Sequence, residues 1–254
     1  MKAVRIIPCL DVSGERVVKG IQFQNLQDAG DPVQLADAYR RQGADELVLL
    51  DVSATPEERE HGLQTLAAVR EVLTIPMTVG GGVRELEDAR RLLEVGADKV
   101  AMNTAAVRRP QLLTEVSRNF GRQCCVSSID AARVDEGWEV VVNSGTEFTG
   151  TSVTDWAKTV EEAGAGEILL TSYDRDGTRE GYDLELLEAV TDIVDIPVIA
   201  SGGANNPTHF VEAIQAGADA GLAASIFHEG EYSISEVKAH LAEFDIPVRQ
   251  EVEP

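Results

Sequence analysis

The chain has 254 residues, 43% of them hydrophobic, and 44 acidic against 22 basic side chains give a formal net charge of −22. That length and apolar content support one large core, and no composition break marks a second unit, so a single domain over 1–254 is expected. The acidity argues against nucleic acid or an anionic membrane as partner, since both demand a positive footprint; a solvated surface, in one reading tuned for high salt, accounts for it.

Short apolar runs alternate with stretches of helical period. Strands are predicted at Val4–Leu10, Glu46–Leu50, Pro76–Val79, Lys99–Met102, Cys124–Ile129, Glu167–Thr171, Pro197–Ala200 and Asp219–Ala223. Between and after them, helices are predicted at Pro32–Gln42, Glu57–Leu73, Glu85–Val95, Pro110–Asn119, Val153–Ala163, Leu184–Val194, Pro207–Ala216 and Ser233–Ala242. Strands buried on both faces and joined by crossover helices make a parallel sheet. The segment from Ile75 to Thr104 also returns later in the chain. Ile75-Pro76 corresponds to Ile196-Pro197, Gly81-Gly82 to Gly202-Gly203, Gly96-Ala97-Asp98 to Gly217-Ala218-Asp219, and Asn103-Thr104 to Ala224-Ser225, all at an offset of 121 positions. Half-to-half symmetry closes naturally into a ring. The expected fold is therefore an α/β (β/α)8 TIM barrel with half-barrels at roughly 1–121 and 122–245, an open doubly wound sheet being the alternative.

The N-terminal apolar run is interrupted by Arg5, Pro8 and Asp11, unlike a signal peptide, and no segment is long and apolar enough to span a bilayer. Cys9, Cys124 and Cys125 all fall in predicted core strands, which suggests buried thiols in a reducing cytoplasm. The four histidines show no metal-binding spacing and there is no GxSxG elbow, so metal-free acid–base chemistry without a cofactor is the expectation.

In such a barrel the C-terminal strand ends carry the chemistry. Asp11 ends the first strand and Asp130 the fifth, equivalent positions in the two halves. A general acid and a general base are expected to face one pocket in this way; the alternative is that each caps a turn. Gly80-Gly81-Gly82 with Asn103-Thr104, and Ser201-Gly202-Gly203 with Ala224-Ser225, provide glycine turns and small polar groups beside helix starts. Such turns let backbone amides approach an anion, so Gly82, Asn103 and Thr104 on one side, and Gly203, Ala224 and Ser225 on the other, form two candidate phosphate cradles. Two cradles facing each other imply a substrate phosphorylated at both ends; ligand-free tight turns are the alternative.

Two connections look like covers. Ser13 to Gly30 is a long polar loop holding Lys19, one of only five lysines, which reaches a phosphate or remains solvated. The loop after the sixth strand brings Asp176 and Gly177, suited to ribose hydroxyls or phosphate support. At the opposite end, Arg5, Glu46, Lys99 and Glu167 start four strands and would converge as a neutral set. Residue chemistry alone favours a structural plug over a gated opening there.

With RIIPCLDV, VVKG, DAGDPV, GADELVLLD, TVGGGVR, GADKVAMNTAAV, SSIDA, GAGEILLTSYDRDGT, IPVIASGG and LAASIFH all in place, the chain resembles the cyclase-subunit family of imidazole glycerol phosphate synthases along essentially its whole length. The resemblance implies a heterodimer with a glutaminase subunit whose ammonia passes up the barrel. It implies a bisphosphorylated phosphoribulosyl-formimino-aminoimidazole carboxamide ribonucleotide as substrate, giving imidazole glycerol phosphate and aminoimidazole carboxamide ribonucleotide. It makes Asp11 and Asp130 the acid–base pair, assigns Gly82, Asn103 and Thr104 to one phosphate, and Asp176, Gly177, Gly203, Ala224 and Ser225 to the other side. It makes Lys19 a flexible loop lysine, turns Arg5, Glu46, Lys99 and Glu167 from plug into ammonia gate, and sets Asp98 and Gln123 against the glutaminase. Glu229 stands where the family has an aromatic and is expected to weaken anion binding at the second cradle, and Asn143–Phe148 replaces a loop that is usually basic and glycine-rich. A neighbouring isomerase of the same repeat and an inactive glutaminase-activating scaffold are the competing readings.

Overall fold

The computed structural model describes residues 3–21, 24–52 and 56–249, with the side chains of 19–27 and 56–61 outside the description. In the first half the chain runs β1 (Arg5–Ser13), β2 (Arg16–Ile21), β3 (Gln24–Gly30), α1 (Pro32–Arg41), β4 (Leu47–Asp51) and α2 (Pro56–Val72). It continues through β5 (Met77–Gly80), α3 (Leu86–Val95), β6 (Lys99–Met102), α4 (Thr104–Arg108) and α5 (Gln111–Phe120). The second half repeats the order with β7 (Cys125–Val134), β8 (Gly137–Val142), β9 (Glu147–Ser152), α6 (Val153–Ala163), β10 (Glu167–Ser172) and α7 (Leu184–Thr191). It ends with β11 (Val198–Ser201), α8 (Pro207–Gln215), β12 (Ala220–Ala223), α9 (Ser225–His228) and α10 (Ile234–Glu243).

Parallel pairing runs β1-β4-β5-β6-β7 and β10-β11-β12-β1, and β7 also pairs with β10, placing Thr171 beside Asp130, so eight strands close into a barrel. Closure leaves these strands no free edge. Alternation along β1 sends Ile7 and Cys9 inward to meet Val48, Ala101, Val126, Leu169, Ile199 and Leu222, while Ile6 and Leu10 join the outer core beneath the helices. Each such buried Val, Leu or Ile contributes about 1.5–3 kcal/mol. The helices start on local signals in the sequence. Asp31 accepts from the Gln34 N–H at 2.9 Å ahead of Pro32, and Ser233 with Glu236 forms a capping box for α10.

Three expectations change. Ser13–Gly30 is no loop: β1 continues past Asp11, turns at Gly14 (φ +60), and returns as the antiparallel hairpin β2–β3, with Asp11 opposite Val18. β8 and β9 extend β7 in the same way, with Asp130 opposite Val141. Each hairpin buries a short valine run, at Val17 and at Val140 to Val142, but the polar residues around it make the sequence look like a loop. Cys124 is also not a core-strand thiol, because it sits half-buried in a 3-10 turn (Arg122–Cys124), whereas Cys9 and Cys125 are buried. Among the described residues no helix is long and apolar enough to cross a membrane.

Candidate active site

A cavity of about 710 Å³ opens at the C-terminal ends of the barrel strands. Asp11 and Asp130 both line it and are buried, at 8% and 7% exposure. The Cys9 thiol donates toward Asp11 Oδ1 at 3.8 Å. Asn103 Nδ2 donates to Asp130 Oδ2 at 2.8 Å. Burial first, and then the charge of Asp176, push the Asp130 carboxyl up to about 7 against the opposing pull of Asn103. A carboxyl held there is shared between its acid and base forms near neutrality. Asn103 Oδ1, on the same amide, is buried with no protein hydrogen-bond partner.

Gly82, Asn103 and Thr104 lie on one side of the cavity, and Asp176, Gly177, Gly203, Ala224 and Ser225 also line it. The turns need glycine: a Cβ on Gly81 (φ +96) would drive into the Asp51 carbonyl, and one on Gly203 (φ +98) into the Gly181 carbonyl. Thr104 Oγ1 accepts the Asn143 N–H at 3.1 Å, which fixes the hydroxyl from the β8–β9 side. The catalytic and phosphate candidates of both halves thus meet in one cavity.

At the other end of the barrel the four charges converge. Glu46 pairs with Arg5 Nη1 at 2.9 Å and Lys99 Nζ at 2.9 Å; Glu167 pairs with Lys99 at 2.7 Å and with the second Arg5 nitrogen. Thr78 Oγ1 donates to Glu46 as well. Burial alone would raise the Glu167 carboxyl, but Arg5 and Lys99 outweigh it and hold it below the usual range. Both acids are buried and both cations are about one-fifth exposed, so the cluster closes the barrel floor yet touches solvent.

Asp98 and Gln123 do not join that cluster. The Asp98 carboxylate ties the Met77 N–H (2.8 Å) and Arg70 (3.0 Å), and Gln123 Nε2 donates to the Phe120 carbonyl at 3.2 Å. Both are accessible on the same end of the barrel. The Lys19 backbone lies in β2, and its side chain is outside the described residues. Sequence reasoning missed the cations of the cavity: Arg84, Arg108, Arg109 and Arg179 all line it. Glu229 bonds Arg179. Nothing in the sequence joins positions 50 apart on two different loops. Among the described residues no group of three His, Cys, Asp or Glu side chains is placed to hold a metal ion.

Residues 5–233 match the family model described as histidine biosynthesis protein. The chain is 52% identical over 245 residues to imidazole glycerol phosphate synthase subunit HisF of Exiguobacterium sibiricum, covering 96% of this chain and 98% of the relative. It is 55% identical over 250 residues to the same-named subunit of Metallosphaera sedula, covering 98% of this chain and 100% of the relative. The chain belongs to the HisF family. The HisF family is one of enzymes of histidine biosynthesis, and the family model's match runs from the first barrel strand past the last.

Proposed function

We propose that this chain is a cytoplasmic cyclase subunit that takes ammonia from a glutaminase partner, in a heterodimer, and closes the imidazole ring of imidazole glycerol phosphate. The observation that carries this reading is the placement of Asp11 and Asp130, at equivalent ends of the two half-barrels, in one cavity flanked by a glycine turn on each side. Phosphates at the two ends of the substrate would sit at Gly82, Asn103 and Thr104, and at Gly177, Gly203, Ala224 and Ser225, with Asp176 supporting that second side. The reacting centre then spans the barrel axis between the carboxylates.

Ammonia adds to the ribulosyl ketone carbon, and the carbinolamine loses water to give an imine. That nitrogen next attacks the formimino carbon, and the aminoimidazole amine leaves with a proton. Asp130, with its carboxyl near 7, is suited to give protons to departing water and amine, while Asp11 takes the proton from the attacking nitrogen. The unpartnered Asn103 Oδ1 is suited to receive a substrate donor beside Asp130. Lys19 would close over the substrate from the β2–β3 hairpin. The floor cluster of Arg5, Glu46, Lys99 and Glu167 would open to admit ammonia, and the accessible Asp98 and Gln123 would face the glutaminase.

Turnover of the bisphosphorylated substrate with ammonium chloride at alkaline pH, without glutaminase, tests this reading. Wild type should release imidazole glycerol phosphate, and Asp11→Asn and Asp130→Asn should each lose about 10²-fold or more in kcat. A folded wild type without turnover would overturn it in favour of a scaffold.

A further inference from the structure

The sequence repeat places Arg108 and Glu229 at equivalent positions, each four residues beyond the polar residue of its cradle, Thr104 or Ser225. The two halves have thus taken opposite charges at one point. Arg108 is answered from the start of β9 and Glu229 from the β10–α7 loop. Arg108 pairs with Glu147 at 3.2 Å, and Glu147 also accepts from Asn143 Nδ2 in the turn that bonds Thr104. Glu229 pairs with Arg179, which also meets Glu231 at 2.8 Å. The outcome on the cavity wall is the same on both sides: Arg108 lines it by the first cradle and Arg179 by the second.

Both arginines are partly exposed, at 59% and 38%, as are the acids they meet. Exposed ion pairs of this kind hold little free energy, whereas a guanidinium binds a phosphate dianion through two parallel hydrogen bonds. A phosphate oxygen therefore competes well with a neighbouring carboxylate for either arginine. We propose that Arg108 and Arg179 are the cationic arms of the two phosphate sites, each parked on neighbouring carboxylates, Glu147 or Glu229 with Glu231, that an arriving phosphate displaces. This rests on the cyclase reading for what carries the phosphates, and not for the arginines' affinity for anions. It also assigns Glu229 a role: it is a counter-ion for Arg179 rather than a bare charge repelling the substrate. The neighbouring acids set the threshold, so a ligand with only one phosphate releases one arm and a bisphosphate releases both.

Calorimetric titration with inorganic phosphate, alongside turnover with ammonium chloride, tests the proposal in the full chain. Arg108→Gln and Arg179→Gln should each weaken phosphate binding by about tenfold at low salt, with KM for the bisphosphate rising and kcat held. Glu147→Gln, and Glu229→Gln combined with Glu231→Gln, should shift affinity the opposite way, tightening phosphate by about two- to threefold. A purely structural bridge predicts the same direction from both partners. Phosphate affinity within twofold of wild type in both arginine variants, or weaker binding in the glutamate variants, would overturn the proposal. If wild type turns over while the arginine variants bind normally, the arms fail alone; if affinities shift as expected without turnover, the cyclase reading fails alone.

Discussion

Burial sets the Asp130 carboxyl apart from an ordinary surface carboxylate. Its raised position means that the folded protein holds a proton that the unfolded chain, with Asp at its usual 3.8, has already released. The associated stability is fully present below that unfolded value and is lost as pH rises through about 7. Asp130→Asn should therefore leave the melting temperature little changed near pH 4 and raise it by a few degrees at pH 8, measured by calorimetry. A variant less stable than wild type at pH 8 would show that the buried carboxylate is better solvated than its surroundings imply. The position of Asp130 was legible in the sequence, because Asp130 follows the fifth predicted strand as Asp11 follows the first. Its coupling to Asp176 was not, since that needs the β10–α7 loop folded back over β7.

At the scale of elements, the barrel floor is fastened by a second buried charge. Lys238 on α10 is 7% exposed and donates to Asp45 at 2.7 Å, to the Gly43 carbonyl at 2.6 Å and to the Arg249 carbonyl at 3.0 Å. Asp45 in turn accepts the Ile6 N–H at 2.9 Å, so one ammonium links the last helix, the approach to β4 and β1. Lys238→Met should cost about 3–5 kcal/mol, because it strands Asp45 among apolar neighbours. The check is chemical denaturation, and Lys238→Met combined with Asp45→Asn should recover a large part of the loss. The cost is reduced to the extent that Arg249, 3.7 Å from Asp45, moves in. Strand and helix positions were readable from period alone, within a few residues. The hairpins β2–β3 and β8–β9 were not, because their buried valines, Val17 and Val140 to Val142, form runs too short to show a period, and β9 is polar and mostly exposed.

For the whole molecule, charge and symmetry dominate. A net charge of −22 makes the compact state repel itself, and salt screens exposed charges over about 10 Å at 0.1 M. Raising potassium chloride from 50 mM to 1 M should raise the melting temperature by several degrees; a flat or falling curve would mean that screening of the exposed ion pairs dominates instead. Fold class, repeat and cavity were legible because each half states them once and the other confirms the register. The salt bridges across the mouth were not, since partners such as Arg179 and Glu231 share no spacing rule. The repeat also divides ownership of the two bridges. Arg179 and Glu229 belong to the same half, whereas Arg108 belongs to the first half and Glu147 to the second. One clasp is inherited whole with its module and the other exists only by joining modules. Any rebuilding of this barrel from two copies of its second half would carry the Arg179 clasp twice and leave both copies of Glu147 without their arginine.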